Sequence, residues 1–457
     1  MTNDAQGSPE QGFATRQVHA GQRPDPATGA RITPVYLSAG FVFDDLEHAK
    51  AGFAGAGNYT YTRVGNPTLT AVERKLADLE GGVDAIVVAS GQAAVATALL
   101  GILRAGDHLV SARSIYSGSR SLFVEVFERF GITVDFVDEA DGIEGWHRAT
   151  TPATRAYFAE SIANPRNEIL DIAGVAAAAH SHGVPLVVDS TLATPYLVRP
   201  IEHGADVVVH STSKFLTGNG SALGGVIVDG GRFPWADHSD LHPHLSRPGA
   251  DGTSFLDRFG DRAYAQYTRD VIIQRLGPTL SPSNAFLVQQ GLETLSLRID
   301  RHSRTALAIA EWLESRPEVG RVDYAGLVSS AHHASARRYL PRGAGSVFAV
   351  QLHGGLEAAR AVHDTLSVFS RMTHLGDVRS LVLHPATTTH SSFTAAERDA
   401  LGIDDGVLRL SIGLEEPADL LADLERAFAT IPREPAGAHP VGDDTSREQG
   451  ELTGSFA

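Results

Sequence analysis

Val184-Pro185-Leu186-Val187-Val188-Asp189-Ser190-Thr191 and, one element later, Val207-Val208-Val209-His210-Ser211-Thr212-Ser213-Lys214 decide the fold of this chain. Each stretch is a short β-branched run that turns abruptly polar. Apolar throughout rather than alternating, such a run predicts a strand covered on both faces, as in a parallel sheet flanked by helices. The same pattern recurs on both sides. Candidate strands are 85–89, 108–111, 133–137, 156–159, 185–189, 205–210 and 224–228, with helical stretches 92–103, 119–130 and 172–182 between them. The reading is an α/β domain with a seven-stranded, mainly parallel sheet whose ligands sit beyond the carboxyl ends of its strands.

Upstream, Asn66-Pro67-Thr68 opens a helix with Leu69, Val72, Leu76 and Leu79 on one face and Gly81-Gly82 at its close. Lys75 falls off that face and is expected in solvent, as is Lys50. Residues 229–283 break the rhythm with Gly, Pro, His and Arg. Helical periodicity then returns, with a helix over 295–315, a strand at 346–352, a helix at 356–366 and a last strand at 407–412. The expected organisation is an N-terminal arm (1–65), a large domain (66–282) with an insertion at about 229–263, a smaller α+β domain (283–432) and a polar, disordered tail (433–457).

Composition excludes several functions. No apolar run approaches the roughly 20 residues that span a bilayer, and the polar start MTNDAQGSPEQGF does not resemble a secretion signal. A cytoplasmic enzyme with no membrane partner is expected. There is no cysteine, so thiolate chemistry is out. A formal charge of −16 without a basic stripe argues against nucleic acid. Of 38 basic residues only three are lysines, Lys50, Lys75 and Lys214. An amine that arginine cannot replace is one that forms an imine or gives up its proton.

The two strand ends therefore bring a carboxylate, Asp189, next to an amine, Lys214. Locally, Asp189 has a plain alternative as the cap of the turn through Ser190 and Thr191. Pyridoxal phosphate (PLP) chemistry needs such a pair: an acid keeps the pyridine nitrogen protonated while a lysine carries the aldehyde. Ser211 and Ser213 flank the lysine and offer hydroxyls to a phosphate. Ser90-Gly91-Gln92, where a strand enters a helix, offers backbone N–H groups to the same anion. His238, His242 and His244 straddle Pro243 and read as loop composition rather than metal ligands. His384 and His390 read as supporting residues, so no metal is expected.

Taken together, Tyr61-Thr62-Arg63-Val64-Gly65-Asn66-Pro67-Thr68, Ser90-Gly91-Gln92, Tyr116, Glu160-Ser161-Ile162-Ala163-Asn164-Pro165, Asp189-Ser190-Thr191, Ser211-Thr212-Ser213-Lys214 and Arg409-Leu410-Ser411-Ile412-Gly413 resemble the Cys/Met-metabolism family of PLP enzymes, the cystathionine γ-synthase relatives. The likeness runs from about His19 to about Ala429. It is strongest to the O-acetylhomoserine sulfhydrylase branch, through Tyr324-Ala325-Gly326-Leu327, Gly343-Ala344-Gly345-Ser346-Val347, His384-Pro385-Ala386-Thr387-Thr388-Thr389-His390 and the insertion after Val228. The resemblance implies fold type I, with Lys214 as Schiff-base residue and proton shuttle, Asp189 as pyridinium partner and Tyr116 stacked on the ring. It implies Asn164 at the cofactor's phenolic oxygen, and Gly91, Gln92, Ser211 and Ser213 at its phosphate. Tyr61 and Arg63 would reach in from a neighbouring subunit, in a dimer or a dimer of dimers. Arg409 and the backbone around Ser380, with Asn164, would hold the substrate carboxylate.

The implied reaction is γ-replacement on O-acetyl-L-homoserine by sulfide or a thiol, releasing acetate and forming homocysteine. Ser117, Ser190, Ser213, Phe215 and Asn219 depart from the family pattern around the site. On sequence alone, cystathionine formation, γ-elimination and substitution by another nucleophile stay open. A non-catalytic relative is disfavoured by the joint presence of Lys214, Asp189, Tyr116 and Arg409.

Overall fold

The apolar runs become the strands of one sheet. A computed structural model describes residues 11–54, 59–391 and 393–432; the expected tail and the first ten residues of the arm lie outside them. The first sheet comprises β1 (Asp84–Val88), β2 (His108–Ala112), β3 (Thr133–Val137), β4 (Thr154–Glu160), β5 (Leu186–Asp189), β6 (Val207–His210) and β7 (Gly225–Asp229), in the order β1-β7-β6-β5-β4-β2-β3. β7 pairs antiparallel with both neighbours; the other pairings are parallel. Six strands thus point the same way, and their carboxyl ends share one edge.

Helices among the strands and before them include α1 (Phe13–His19), α2 (Pro67–Glu80), α3 (Gly91–Leu100) and α4 (Ile172–Ser181). α2 is capped as its sequence suggests. The Asn66 side chain accepts from Thr68 N–H, and Gly81 closes the helix in the left-handed conformation at φ 82°. The helix expected over 119–130 is instead three pieces, Ser117–Ser121, a π-helical turn Leu122–Phe127 and a 3-10 turn Glu128–Phe130. Phe123 and Phe127 anchor it, with Phe123 edge-on to Phe158 of β4 at 5.2 Å.

A second sheet has the order β10-β11-β12-β9-β8, built from β8 (Val319–Asp323), β9 (Val347–Leu352), β10 (Ser370–Arg371), β11 (Leu381–Leu383) and β12 (Val407–Ser411). The helices α5 (Leu295–Glu314), α6 (Gly355–Thr365) and α7 (Pro417–Phe428) accompany it. α5 also reaches the first sheet's loops. Arg298 donates to the carbonyls of Phe215 and Gly291, both at 2.7 Å, and so grips the segment just after Lys214. The irregular stretch after Asp229 carries its own small core, with Trp235 stacked on Tyr264 at 5.4 Å and edge-on to His242 at 5.0 Å. His244 donates from Nε2 to the Gly101 carbonyl at 3.0 Å. No described helix is long and apolar enough to cross a membrane.

Lys50 is exposed beside Glu47, as expected. Lys75 is not: it is fully buried, and its ammonium donates to the carbonyl of Gln17 at 2.6 Å. The helix face it occupies is covered by α1, whose last carbonyls need donors. Amphipathic spacing within α2 does not reveal that a second helix covers its other side.

Burial holds the Lys75 pKa down to about 8. Between there and the ordinary lysine value the folded chain binds fewer protons than the unfolded one, so this group makes stability rise with pH. Relative to Lys75→Met, the wild type is expected to gain melting temperature from pH 8 to about 10. Thermal denaturation of both proteins across that range checks this, and a difference that falls or stays flat would contradict it.

Candidate active site

Parallel pairing of β5 with β6, Asp189 opposite Val209, fixes the first two site residues. The Asp189 carboxylate ends β5, and four residues past the end of β6 the chain reaches Lys214. Oδ1 of Asp189 accepts from Thr191 N–H at 2.9 Å and from Thr191 Oγ1 at 2.5 Å. The turn-capping alternative is therefore real, but it occupies one oxygen and leaves Oδ2. β4 adds a second acid, because Glu160 stands directly beside Asp189 in the sheet. Its Oε1 accepts from the Tyr116 N–H at 2.6 Å, which fixes the backbone under the half-exposed tyrosine ring.

Burial pushes both carboxyls above their usual range, and the charge of Asp189 pushes Glu160 further. Two adjacent buried carboxylates cannot both ionise cheaply without a cation between or beside them. The oxygen left on Asp189 could meet such a cation.

Across the cleft the charge is positive. Lys214 is held at about 8, by burial first and then by Arg409. Arg409, on β12, is buried, and burial lowers it to about 10. Its Nη2 donates to the carbonyls of Thr373 (2.9 Å) and His374 (3.0 Å), and Nη1 to Asn164 Oδ1 (3.3 Å). The Nε hydrogen and one Nη1 hydrogen bond nothing among the described residues, which leaves two charged donors on opposite sides of the guanidinium. The Lys214 Nζ lies 3.1 Å from His374 Nδ1.

The anion cradle is as close as the sequence suggests. A Cβ at Gly91 would stand 2.5 Å from Ser211 Cβ and 2.8 Å from its Oγ, so only glycine lets the start of α3 approach the β6 loop. Ser90 caps α3 through Ala93 N–H, while the first amides at Gly91 and Gln92 remain available to an anion. Ser211 and Ser213 hydroxyls are 3.4 Å apart, and Ser213 also donates to the Gly224 carbonyl at 3.2 Å. An acid at one end, a phosphate-sized nest at the other and an amine between them fit pyridoxal phosphate.

Tyr61 and Arg63 are exposed, with the guanidinium 4.9 Å over the tyrosine ring. Neither side chain hydrogen-bonds a residue of this cleft among the described residues. Ser380 is fully buried, and its N–H and hydroxyl donate to Glu415 at 2.7 and 2.8 Å. It offers no free donor here, and the loop residues at Arg409 are Thr373 and His374. Sequence reasoning misses His374, which has no local signal in Met372-Thr373-His374-Leu375-Gly376. Glu160 carries the same signal as Asp189, an acid ending an apolar strand, but in sequence it stands out only as part of a motif.

Asn164, Arg113, Arg166 and His390 line a cleft of about 220 Å³ that opens beside the site. At its edge Glu139, Glu168 and His332 cluster within metal-ligand distance. His332 Nδ1 accepts from Ile169 N–H at 3.3 Å, which leaves the proton on Nε2, 3.2 Å from Glu139.

The chain matches the family described as Cys/Met metabolism PLP-dependent enzyme over residues 14–429. It is 45% identical over 426 residues to the O-acetyl-L-homoserine sulfhydrylase of Corynebacterium glutamicum, covering 92% of this chain and 97% of that one. It is 42% identical over 428 residues to the protein of the same name from Leptospira meyeri, covering 91% and 96%. Among solved structures, a Campylobacter jejuni protein described as an O-acetylhomoserine (thiol)-lyase superimposes with a TM-score of 0.87 at 34% identity, over 92% of this chain and 100% of that one; it carries a pyridoxyl-phosphate-modified lysine.

Filling the cradle tests its role. Gly91→Ala is expected to weaken PLP retention by at least about tenfold while the far-ultraviolet circular dichroism stays that of the wild type. Fluorescence titration of the stripped protein with PLP measures this, and unchanged affinity would remove Gly91 from the phosphate site.

Proposed function

The chain belongs to the Cys/Met metabolism PLP-dependent enzyme family, and from that premise we propose that it catalyses γ-replacement on O-acetyl-L-homoserine, sulfide or a thiol displacing acetate to give L-homocysteine. The observation that carries this is the convergence of Lys214, Asp189 and Arg409 on one cleft, in a chain whose relatives bear that activity in their names.

When bound, PLP accepts the electron pair left as a proton departs from the substrate's α-carbon. The remaining work falls to the chain. Lys214 would hold the cofactor through its nitrogen and, as a free amine, would be the base that moves protons at the substrate's α- and β-carbons. Its depressed pKa keeps a useful fraction of free amine at neutral pH. Asp189 would keep the ring nitrogen protonated, with Glu160 beside it strengthening the demand for a positive partner. Gly91, Gln92, Ser211 and Ser213 would take the phosphate, Tyr116 would cover the ring, and Asn164 would meet the phenolic oxygen.

Arg409 takes the substrate carboxylate through a guanidinium hydrogen left unbonded, with Asn164 beside it. Ser380 acts at one remove, holding Gly413 N–H at 2.8 Å and so fixing the turn that follows β12. Tyr61 and Arg63 complete the phosphate site of a second copy. Exposed Leu37, Val42, Leu46 and Phe53 on the same arm support such pairing. The reading is of a cytoplasmic dimer of dimers.

Incubation with O-acetylhomoserine and sulfide is expected to yield homocysteine and acetate in equal amounts, and Lys214→Ala to abolish both. Asp189→Asn is expected to lower kcat by about 100-fold or more. Release of 2-oxobutyrate and ammonia in place of homocysteine would make elimination the reaction, and turnover in Lys214→Ala would refute the assignment of the base.

A further inference from the structure

The imidazole of His374 touches the amine on which that reaction depends, yet none of its steps uses the ring. Its ring is oriented from several directions. The carbonyls of Thr373 and His374 are both bound by Arg409. Two residues on, Gly376 N–H donates to Ser411 Oγ at 3.0 Å, and Phe215, next to Lys214, fills the space a Gly376 side chain would need. The loop that carries His374 and the loop that carries Lys214 are thus packed as one unit.

The tautomer follows from the contact. In its ammonium form the lysine nitrogen can only donate, so Nδ1 at 3.1 Å then presents its lone pair and Nε2 carries the proton. Nε2 is sealed from solvent, and the Ser213 backbone also lies against the ring and favours its charged form. The charged groups acting on His374 are Lys214 and Arg409, both positive, and the buried carboxylate of Asp377; Tyr116 and His390 adjoin Arg409. Burial first, then the Lys214 charge, keeps the imidazole neutral, at about 4. At the pH of turnover it accepts at Nδ1 and does not exchange protons.

We propose that His374 is the positioning residue for Lys214, its Nδ1 holding one hydrogen of the lysine nitrogen whenever that nitrogen is free of cofactor. The amine then keeps its lone pair, or its added proton, aimed into the cleft rather than turning to solvent. The same contact stabilises the ammonium form and offsets part of what burial beside Arg409 costs it. When the amine takes a proton from the substrate carbon, the ammonium has three hydrogens: one stays on Nδ1 and two remain for delivery. No net charge passes to the imidazole. The proposal rests on Lys214 being the base of the reaction above.

Three lysines make the test direct. The full-length protein, freed of cofactor, is trace-labelled with acetic anhydride from pH 6 to 10, and each lysine's acetylation is read by peptide mass spectrometry. Lys50 serves as the exposed reference, and an unlabelled Lys75 reports an intact fold. His374→Leu is expected to lower the pH midpoint of Lys214 labelling by about one unit. His374→Asn, which keeps an acceptor at the same reach, is expected to stay close to wild type. His374→Ala answers the same question if the leucine variant fails to fold.

In the loaded enzyme, His374→Leu is expected to cut kcat at least about tenfold with KM little changed, moving the acid limb of the kcat profile to lower pH, and His374→Asn is expected to restore most of the rate. An unchanged Lys214 labelling midpoint in both apolar variants would overturn the proposal, as would a shifted midpoint with an unaltered kcat profile. Turnover surviving in Lys214→Ala would instead sink the assigned base, while the labelling result would still report the contact.

Discussion

The structure depends on one constraint: β5 and β6 lie side by side in parallel, so the polar residues that end them emerge at the same edge. Buried apolar strands have only their ends in which to place charge. The sequence places Asp189 at one end and Lys214 just past the other, and β4 adds Glu160 one strand away. Parallel order also brings the end of β1 and the start of α3 to that edge, where Gly91 meets Ser211.

The cleft that results is polar in the electrostatic sense. Two crowded carboxyls occupy one side, and a lysine and a buried arginine occupy the other. Each group is held away from its ordinary titration, and each is eased by a ligand of the opposite sign. A cofactor with a protonated ring nitrogen and an anionic phosphate, together with a substrate carboxylate, satisfies every pole. Before they bind, Arg409 is steadied by backbone carbonyls and Lys214 by a neutral imidazole, acceptors that add no charge of their own.

Much of this is legible in the amino-acid sequence. The seven strands appear within a residue or two of their expected bounds, because a fully buried strand writes its length in apolar residues and its end in polar ones. Asp189, Lys214, Gly91, Ser211 and Arg409 are legible for the same reason, or through motif order. Lys75 is misjudged because helix periodicity describes one face and cannot show α1 packed on the other. The break in the helix at Leu122–Phe127 follows from the packing of Phe123 and Phe127 and leaves no period in the sequence. Ser380 turns to Glu415, and His374 to Lys214, through folding of the second sheet against the first, a long-range event that local spacing does not record.

The most direct measurement is reduction of the PLP-loaded protein with borohydride, followed by peptide mapping of the three lysines. The account predicts that the stable phosphopyridoxyl addition falls on the peptide carrying Lys214, with Lys75 unmodified and Lys50 modified only at the background level of an exposed amine. Stoichiometric addition at Lys50 or Lys75, or no addition at Lys214 in protein that visibly retains the cofactor, would contradict it.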